Sequence, residues 1–406
     1  MAVKGQLGRM RRWMGRVAPG DDAGETKAAG AGEAKSGAGG GAMVMVQGLG
    51  EAVWSPRNYG GMAREGFMRN AIVYRAVRMI AEAAAAVPLV VHEGREARPD
   101  DPLQRLIDQP AAGQCAADLF ECWYGYLLVS GNAYLEAVTL ADEVRALHVL
   151  RPDRMQIVPG RDGWPAAYDY TVDHRTHRYA GEALPGVAPV LHLKLFHPHD
   201  DHYGMSPIEA AAGAIDIHNA ATRWNKALLD NSARPSGALV YAAREGTLSD
   251  EQFERLRQEL DAGFQGAARA GRPMLLDGGL DWKSMSMTPK DMDFIEAKHV
   301  AAREIALALG VPPMLLGIPG DNTYSNYQEA TRTFWRQTVL PLVGRTAAAL
   351  SGWLAPAYGV NVTLKPDLDQ VQALALEREA LWSRIERASF LSEDEKRAAV
   401  GYGPAA

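Results

Sequence analysis

The side chains best equipped for chemistry crowd into one stretch, HLKLFHPHDDHYG, which carries His192, His197, His199, Asp200, Asp201 and His202. Imidazole nitrogens and carboxylate oxygens are the ligands that zinc and harder transition metals take, so a metal-dependent hydrolase using His197, His199, Asp201 and His202 is one chemistry open to it. The stretch is broken by Pro198 and lies between a strand-like run and a helix start at Ser206, with no regular element to fix ligand geometry. A polar hinge between domains or subunits explains the same residues without a metal. Cys115 and Cys122 are the only thiols, seven apart in a helix-like segment. That spacing suits one buried helix face better than a zinc pair, and two cysteines make no disulfide scaffold, which implies a reducing compartment. The sequence has no phosphate-cradling G-x-x-x-x-G-K-[ST], no H-E-x-x-H and no G-x-S-x-G. No cofactor is expected.

A second stretch stands out for what it lacks. ALGVPPMLLGIPGDNTYSNYQEATRTFW places a loop rich in Pro, Gly and Asn between two helix-like segments, and from Glu304 to Thr331 it has neither Lys nor Arg. Lys plus Arg number 43 and Asp plus Glu 49, a net charge of −6, which argues against a monomeric module gripping nucleic acid through phosphates. The most apolar region, Ala71 to Val91, contains Arg75, Arg78, Glu82 and Pro88, and RMRRWMGR near the start has no apolar run after it. Neither a membrane span nor a secretory signal is expected, and the chain reads as cytosolic.

The elements that position these stretches follow from caps and periodicity. Residues 1–55 hold a basic patch (Arg9, Arg11, Arg12, Arg16) and a Gly/Ala-rich run with little apolar surface to offset chain entropy, so they read as a disordered arm, either touching a partner or simply solvated. From Ala71 to Phe196 helical and strand signals alternate: a helix ending before Pro88, the strands PLVVHE, YLEAVTL, ALHVL, MQIVPG, AAYDYTV and VLHLKLF, and a helix in DLFECWYGYLLVSG capped by Asp118 and stopped by Gly131. SPIE, SDEQ, TPKD and SNYQ each offer a hydroxyl followed three residues later by an acid or amide. They predict helices over 207–230, 250–264, 289–309 and 326–354, the last kinked at Pro341. Between the first and third lies a small unit with the strand GALVYA, an amphipathic helix (Phe253, Leu256, Leu260, Phe264) and a hairpin around Gly278 and Gly279. It should hang from two long helices like a tip on a stalk. Met274, Met285, Met287 and Met292 read as packing at its base, and Asp291, Asp293, Glu296 and Glu304 as an exposed or channel-lining face.

In this order, SGNAYLE (130–136), DHYGMSPIEAA (201–211), LLDNSARPSGALV (228–240), IALALGVPPMLLGIPGDNTYSNYQEA (305–330), TVLPL (338–342) and FLSEDEKRAAVGYGP (390–404) resemble the HK97-type portal proteins of tailed phages. The wording of HNAATRWNKALLDN, LKPDLDQV and AGRPMLLDGGLDWK is most similar to the portals of bacterial gene transfer agents, phage-like particles that package cellular DNA. The resemblance implies an α+β, multi-domain portal fold assembling into a dodecameric ring at one capsid vertex. Its parts would be a wing (56–205), a first stem helix (206–231), a small α/β clip (232–288), a second stem helix (289–310), a tunnel loop (311–325), a wing helix with its returning strand (326–368) and a short crown-like end (369–406). The brief C-terminal part argues against an extended crown or barrel. The implied partners are further copies of the chain, double-stranded DNA in transit, the major capsid protein, the terminase large subunit and the head-tail adaptor, with no membrane and no catalysis. Location follows: the portal vertex of a virion or phage-like particle, and the bacterial cytoplasm during assembly. The resemblance assigns the DNA path to Gly317, Ile318, Pro319, Gly320, Asp321, Asn322, Thr323, Tyr324 and Ser325. It assigns partner docking at the clip to Leu239, Tyr241, Gly278, Gly279 and Trp282. A loop without cations suits that place, because each Lys or Arg contact to phosphate, repeated around a ring, would add a barrier to DNA release.

Overall fold

The structure, a computed structural model, describes residues 54–94, 96–230, 237–241, 280–284, 294–320, 324–359 and 361–403 and the single positions 249, 251, 254, 255 and 258. The expected 250–264 helix as a whole, the Gly278-Gly279 hairpin, Asp291 and Asp293, the four methionines at 274, 285, 287 and 292, and nearly all of the N-terminal arm lie outside the described residues.

Helix α1 (Ala71–Ala85) buries Val73, Ala76, Val77, Ile80, Ala81 and Ala84, the i, i+3, i+4, i+7 rhythm of a core-facing stripe. It packs against α3 (Ala116–Ser130), whose Leu119, Phe120, Trp123, Tyr124 and Leu127 fill the other side. Between them in sequence come strand β1 (Leu89–Glu93), the two-residue β2 (Glu96–Ala97) and α2 (Pro102–Asp108). After α3 the chain builds β3 (Asn132–Leu140), β4 (Glu143–Leu150), β5 (Met155–Pro159), β6 (Pro165–Val172), β7 (Arg175–Ala180) and β8 (Val190–Lys194). They form two antiparallel sheets, ordered β4-β3-β8 and β5-β6-β7.

The turn Pro207–Ala210, capped by Ser206, leads into α4 (Ala212–Asp230), so the expected 207–230 helix is present with one break at Ala211. Strand β9 (Gly237–Tyr241) pairs antiparallel with β10 (Leu280–Ser284), and α5 (Phe294–Ala308) returns against α4. The last long helix is α6 (Tyr324–Phe334), a π-helical turn Trp335–Val339, then α7 (Leu340–Tyr358). Strand β11 (Val362–Pro366) pairs with β1, joining the C-terminal half to the start of the fold, and α8 (Ala375–Glu386) and α9 (Glu393–Ala399) follow. Deeper in, the Trp123 indole Nε1 donates to Thr346 Oγ1 at 3.2 Å, linking α3 to α7.

Four expectations need correction. Both cysteines are exposed. Cys115 is the N-cap of α3 and Cys122 lies on its solvent side, because the buried stripe runs through 119, 123 and 127 instead. Asp118 is accordingly not the cap but the third helical residue, and its Oδ2 takes the Cys115 backbone N–H at 3.4 Å. The distortion expected at Pro341 takes the form of the π turn just before it, where Leu340 N–H reaches back to Trp335 O. Finally, α6 begins at Tyr324, so Tyr324 and Ser325 belong to the helix and Ser325 is not its cap.

Candidate functional site

The loop that follows α5 is the site singled out by the sequence, and its root is tightly held. Gly310 adopts a left-handed conformation (φ 68°), which ends α5 and sends the chain across the π turn. A Cβ there would come within 2.8 Å of Thr338 Oγ1, and that hydroxyl donates to Gly310 O at 2.6 Å. Pro313–Leu316 form a 3-10 turn closed by Gly317, and Ile318 N–H returns to Pro313 O at 3.2 Å. Ile318 is 4 % exposed and packs with Ala302, Ala306, Leu316 and Ile72. Its side chain therefore anchors the root, so this member of the stretch assigned to the DNA path is buried. Pro319 and Gly320 are exposed. Asp321, Asn322 and Thr323 lie outside the described residues, as do the side chains of Tyr324 and Ser325.

Reading charge along the sequence set Arg303 against the acids of its own helix and did not join it to the loop. Arg303, on the preceding helix, turns its guanidinium back so that Nη2 donates to Pro319 O at 2.6 Å, while Nη1 lies 3.9 Å from Glu296. Arg303, Pro312, Met314, Gly320, Asn326 and Glu329 line an open groove of about 570 Å³ there. A partly exposed arginine sixteen positions before Pro319 gives no sequence signal of this contact; the backbone reversal at Gly310 and Gly317 creates it.

At the second candidate site, β9 and β10 pair with Leu239 opposite Trp282 and Tyr241 opposite Leu280. Register therefore puts Leu239, Tyr241 and Trp282 on one face of a two-stranded ribbon. Gly278 and Gly279 lie outside the described residues.

The histidine cluster does not converge. His192 is part of a core: its ring stacks on Tyr134 at 4.3 Å between centroids and meets Tyr168 edge-on at 5.9 Å. Burial, with Lys194 nearby, pushes its pKa down to about 3. Its Nε2 lies 3.0 Å from Asn132 Oδ1, an acceptor, so the proton sits on Nε2. His197 Nδ1 takes the backbone N–H of His199 at 3.1 Å. Asp200 Oδ1 takes those of His202 (2.7 Å) and Tyr203 (2.9 Å). Desolvation pushes the Asp200 carboxyl up, but these two donors and the neighbouring His197 and His202 rings outweigh it and hold the pKa below the usual range. These contacts lie within the loop itself, though His202 Nδ1 is buried without a hydrogen-bond partner, and among the described residues no group of three His, Cys, Asp or Glu side chains could hold a metal ion.

What this stretch does hold together is the fold. Gly131 and Gly204 meet backbone to backbone: a Cβ on Gly204 would lie 2.1 Å from Gly131 O, and one on Gly131 2.5 Å from Gly204 O. The Asn132 amide accepts from Gly204 N–H at 2.7 Å and donates to Gly204 O at 3.2 Å, and Ser206 Oγ donates to Leu128 O at 2.8 Å. A second polar lock ties α4 to α1. Asn70 caps α1 through Ile72 and Val73 N–H while its Nδ2 donates to Asn219 Oδ1 at 3.0 Å and to His218 Nδ1 at 3.1 Å. Burial and Lys298 lower the His218 pKa, keeping that nitrogen free of a proton and able to accept.

A model of the phage portal protein family matches residues 71–401. With that span covered, the chain belongs to the phage portal protein family. It is 55 % identical to a chain in the neck of a native gene transfer agent particle computed with C12 symmetry, covering 89 % of this chain and 98 % of that one, with a TM-score of 0.66. It is 42 % identical to an uncharacterised protein of Rickettsia bellii over 83 % of this chain and 88 % of that protein. A crystal structure of an HK97 family phage portal protein from Corynebacterium diphtheriae is only 16 % identical but shares the fold, covering 79 % of this chain and 98 % of that one at a TM-score of 0.55. The chain is thus an HK97-type portal, close to that of gene transfer agents. Among the described residues no helix is long and apolar enough to cross a membrane.

Proposed function

We propose that this chain is the repeating subunit of a closed ring, twelve copies strong, forming the axial channel at one capsid vertex of a phage-like particle. Double-stranded DNA enters and leaves through that channel, and the role is structural, not catalytic. The observation that carries this reading is the 55 % identity, across nearly the full length of the matched chain, to a chain in a particle neck computed with C12 symmetry. The stretch 311–325 is then the tunnel loop, reaching the DNA through exposed Pro319 and Gly320 and the cation-free run that follows. The β9-β10 ribbon with Leu239, Tyr241 and Trp282 is the surface on which the terminase large subunit and later the head-tail adaptor dock, since small edge strands commonly pair with partner strands. The α1-α3 region and its sheets form the wing that meets the major capsid protein.

Electron microscopy and native mass measurement of the purified chain test the reading. Closed rings without ATPase or nuclease activity are expected. A chain that stays monomeric over a wide concentration range, or that hydrolyses ATP alone, overturns it.

A further inference from the structure

The segment that leads into α1 crosses the start of α4 and touches it at three levels. At the first, Ser55 donates its backbone N–H to Asp216 Oδ2 at 3.0 Å and its hydroxyl to Oδ1 at 2.5 Å. Among the described residues Asp216 makes no ion pair, so Ser55 supplies the donors that hold its half-buried carboxylate. At the second level, Asn219 Nδ2 donates to Glu65 O at 2.8 Å, and Gly66 comes so close that a Cβ there would lie 3.0 Å from Ile208 Cγ2. The third is the Asn70 amide, shared between Asn219 and His218.

The same segment also holds the other side of the fold. Tyr59 packs against the main core, and burial, with Asp153 and Tyr126 close by, pushes its pKa up to about 12 against the opposing pull of Arg151. Tyr126 belongs to α3 and Asp153 to the turn between β4 and β5, so residues 55–70 bridge α4 to the layer of α3 and the sheets.

Within this bridge the chain is marginal. Met62–Met68 is π-helical, a geometry that rarely extends past one turn. Of residues 55–69 only Met62 and Gly66 are buried, whereas α1, just beyond, buries six side chains along its fifteen residues. A cavity of about 20 Å³ separates Ser55, Met62 and Gly66 from Ile208, Ile215 and Asp216. Segments with few buried apolar contacts open at free energies well below that of global unfolding.

We infer that residues 55–70 are a latch, which seats the first turns of α4 on the layer of α3 and the sheets and opens before the rest of the fold. Residues 1–54 run into it covalently, so a partner that draws on that arm loads the Ser55 to Asp216 contact first. The latch is a property of a single copy and stands or falls apart from the ring.

Limited trypsin digestion of the full chain, read by mass spectrometry, is the test. Exposed Arg64 lies inside the π-helix and exposed Arg345 inside α7. A bond within a helix is cut from the opened state, and where reclosing is fast the rate follows the population of that state. Cleavage after Arg64 should run at least about tenfold faster than cleavage after Arg345. Asp216→Ala, which removes both acceptors for Ser55, should speed the Arg64 cut by about a further tenfold and leave the Arg345 cut unchanged, with Asp216→Asn, which keeps one acceptor, in between. Hydrogen exchange on the same proteins should show the amides of Ala214–Asn219 losing protection together with those of Met62–Asn70, while those of Leu119–Val129 in α3 keep theirs. Equal cleavage rates at Arg64 and Arg345 in the parent overturn the inference, and so does an Asp216→Ala variant that speeds both cuts alike or neither. A latch that opens with no loss of protection in α4 also overturns it, because the segment would then be a surface turn that seats nothing. Should Asp216→Ala fail to fold, Ser55→Ala removes the hydroxyl donor without touching α4 and is read by the same cuts.

Discussion

Replacing Gly204 by alanine isolates the contact between the SGNAYLE and DHYGMSP stretches. The added Cβ would stand 2.1 Å from Gly131 O, 2.7 Å from Leu195 N and 2.8 Å from Leu195 O, all backbone atoms that no rotamer change can clear. The segments must separate by about 1 Å to restore van der Waals contact. That shift strains or breaks three hydrogen bonds: Leu195 N–H to Gly131 O at 2.8 Å and the two between Asn132 and Gly204. At about 1 kcal/mol per bond, and about 1–3 kcal/mol for overpacking, the loss comes to about 4–6 kcal/mol. Thermal unfolding followed by circular dichroism should shift down by about 5–8 °C. Parent and variant must be compared in the same oligomeric state, since assembly adds to apparent stability. Gly352→Ala, in the middle of α7 with no atom within 4 Å of the new Cβ, is the control and should gain about 0.5–1 kcal/mol. A Gly204→Ala melting point within 1 °C of the parent would refute the reasoning, because it would mean the two backbones do not meet as described.

Further outcomes are expected. The His192 pKa is held near 3, below its unfolded value, so the unfolded state binds the extra proton: its contribution is fully present above about pH 6.5 and is lost as pH falls from there toward 3. About 2 kcal/mol should disappear between pH 6.5 and 5, and His192→Gln should flatten that slope in urea titrations. Arg303→Ala should free the loop root and speed chymotryptic cleavage near Tyr324 by about fivefold, for a partly exposed contact of about 1 kcal/mol; unchanged cleavage kinetics would remove Arg303 from that role. Asp321→Lys with Asn322→Lys should slow or stall DNA passage through intact rings in a salt-dependent way, and normal packaging at low salt would take this loop off the DNA path. Leu239→Asp with Tyr241→Asp should leave rings intact while abolishing packaging or tail attachment, and full, tailed particles would take docking away from the ribbon.

Helix starts were legible where a cap and a first-turn proline coincide, as at Ser206 and Pro207, because both act on the same few backbone donors. An isolated acid misled. Asp118 is favoured anywhere in a first turn, and nothing in its type distinguishes the cap from the third position, where it serves Cys115. Strands with a buried face were legible from alternation. Strand β7 was not: RTHRYA exposes five of its six residues, so it carries no apolar rhythm and exists because β6 offers it a ladder. The histidines misled in another way, since ligand types at close spacing say nothing about where each ring points. His192 turns into the Tyr134 stack, while the His197 ring and the His202 backbone N–H serve a loop.

The loop root shows why position along the chain conceals function of this kind. Its two ends are fixed by side chains from elements far apart in sequence, Thr338 of the π turn on Gly310 O and Arg303 of α5 on Pro319 O. Pro341 has no backbone N–H to donate, and the turn widened before it carries Thr338, whose hydroxyl reaches the carbonyl that ends α5. A proline that reads as a kink in one helix thus helps to set where another helix stops. Ile318, packed on Ala302 and Ala306, fixes the same segment just before Pro319, so the backbone from Gly310 to Pro319 is held at three points by α5 and the long C-terminal helix. Any displacement of α5 relative to that helix must load these contacts before it reaches the cation-free residues beyond. The loop's position therefore follows from the angle between α5 and the long C-terminal helix, and in the proposed ring a tilt of α5 in every copy would move all the loops together.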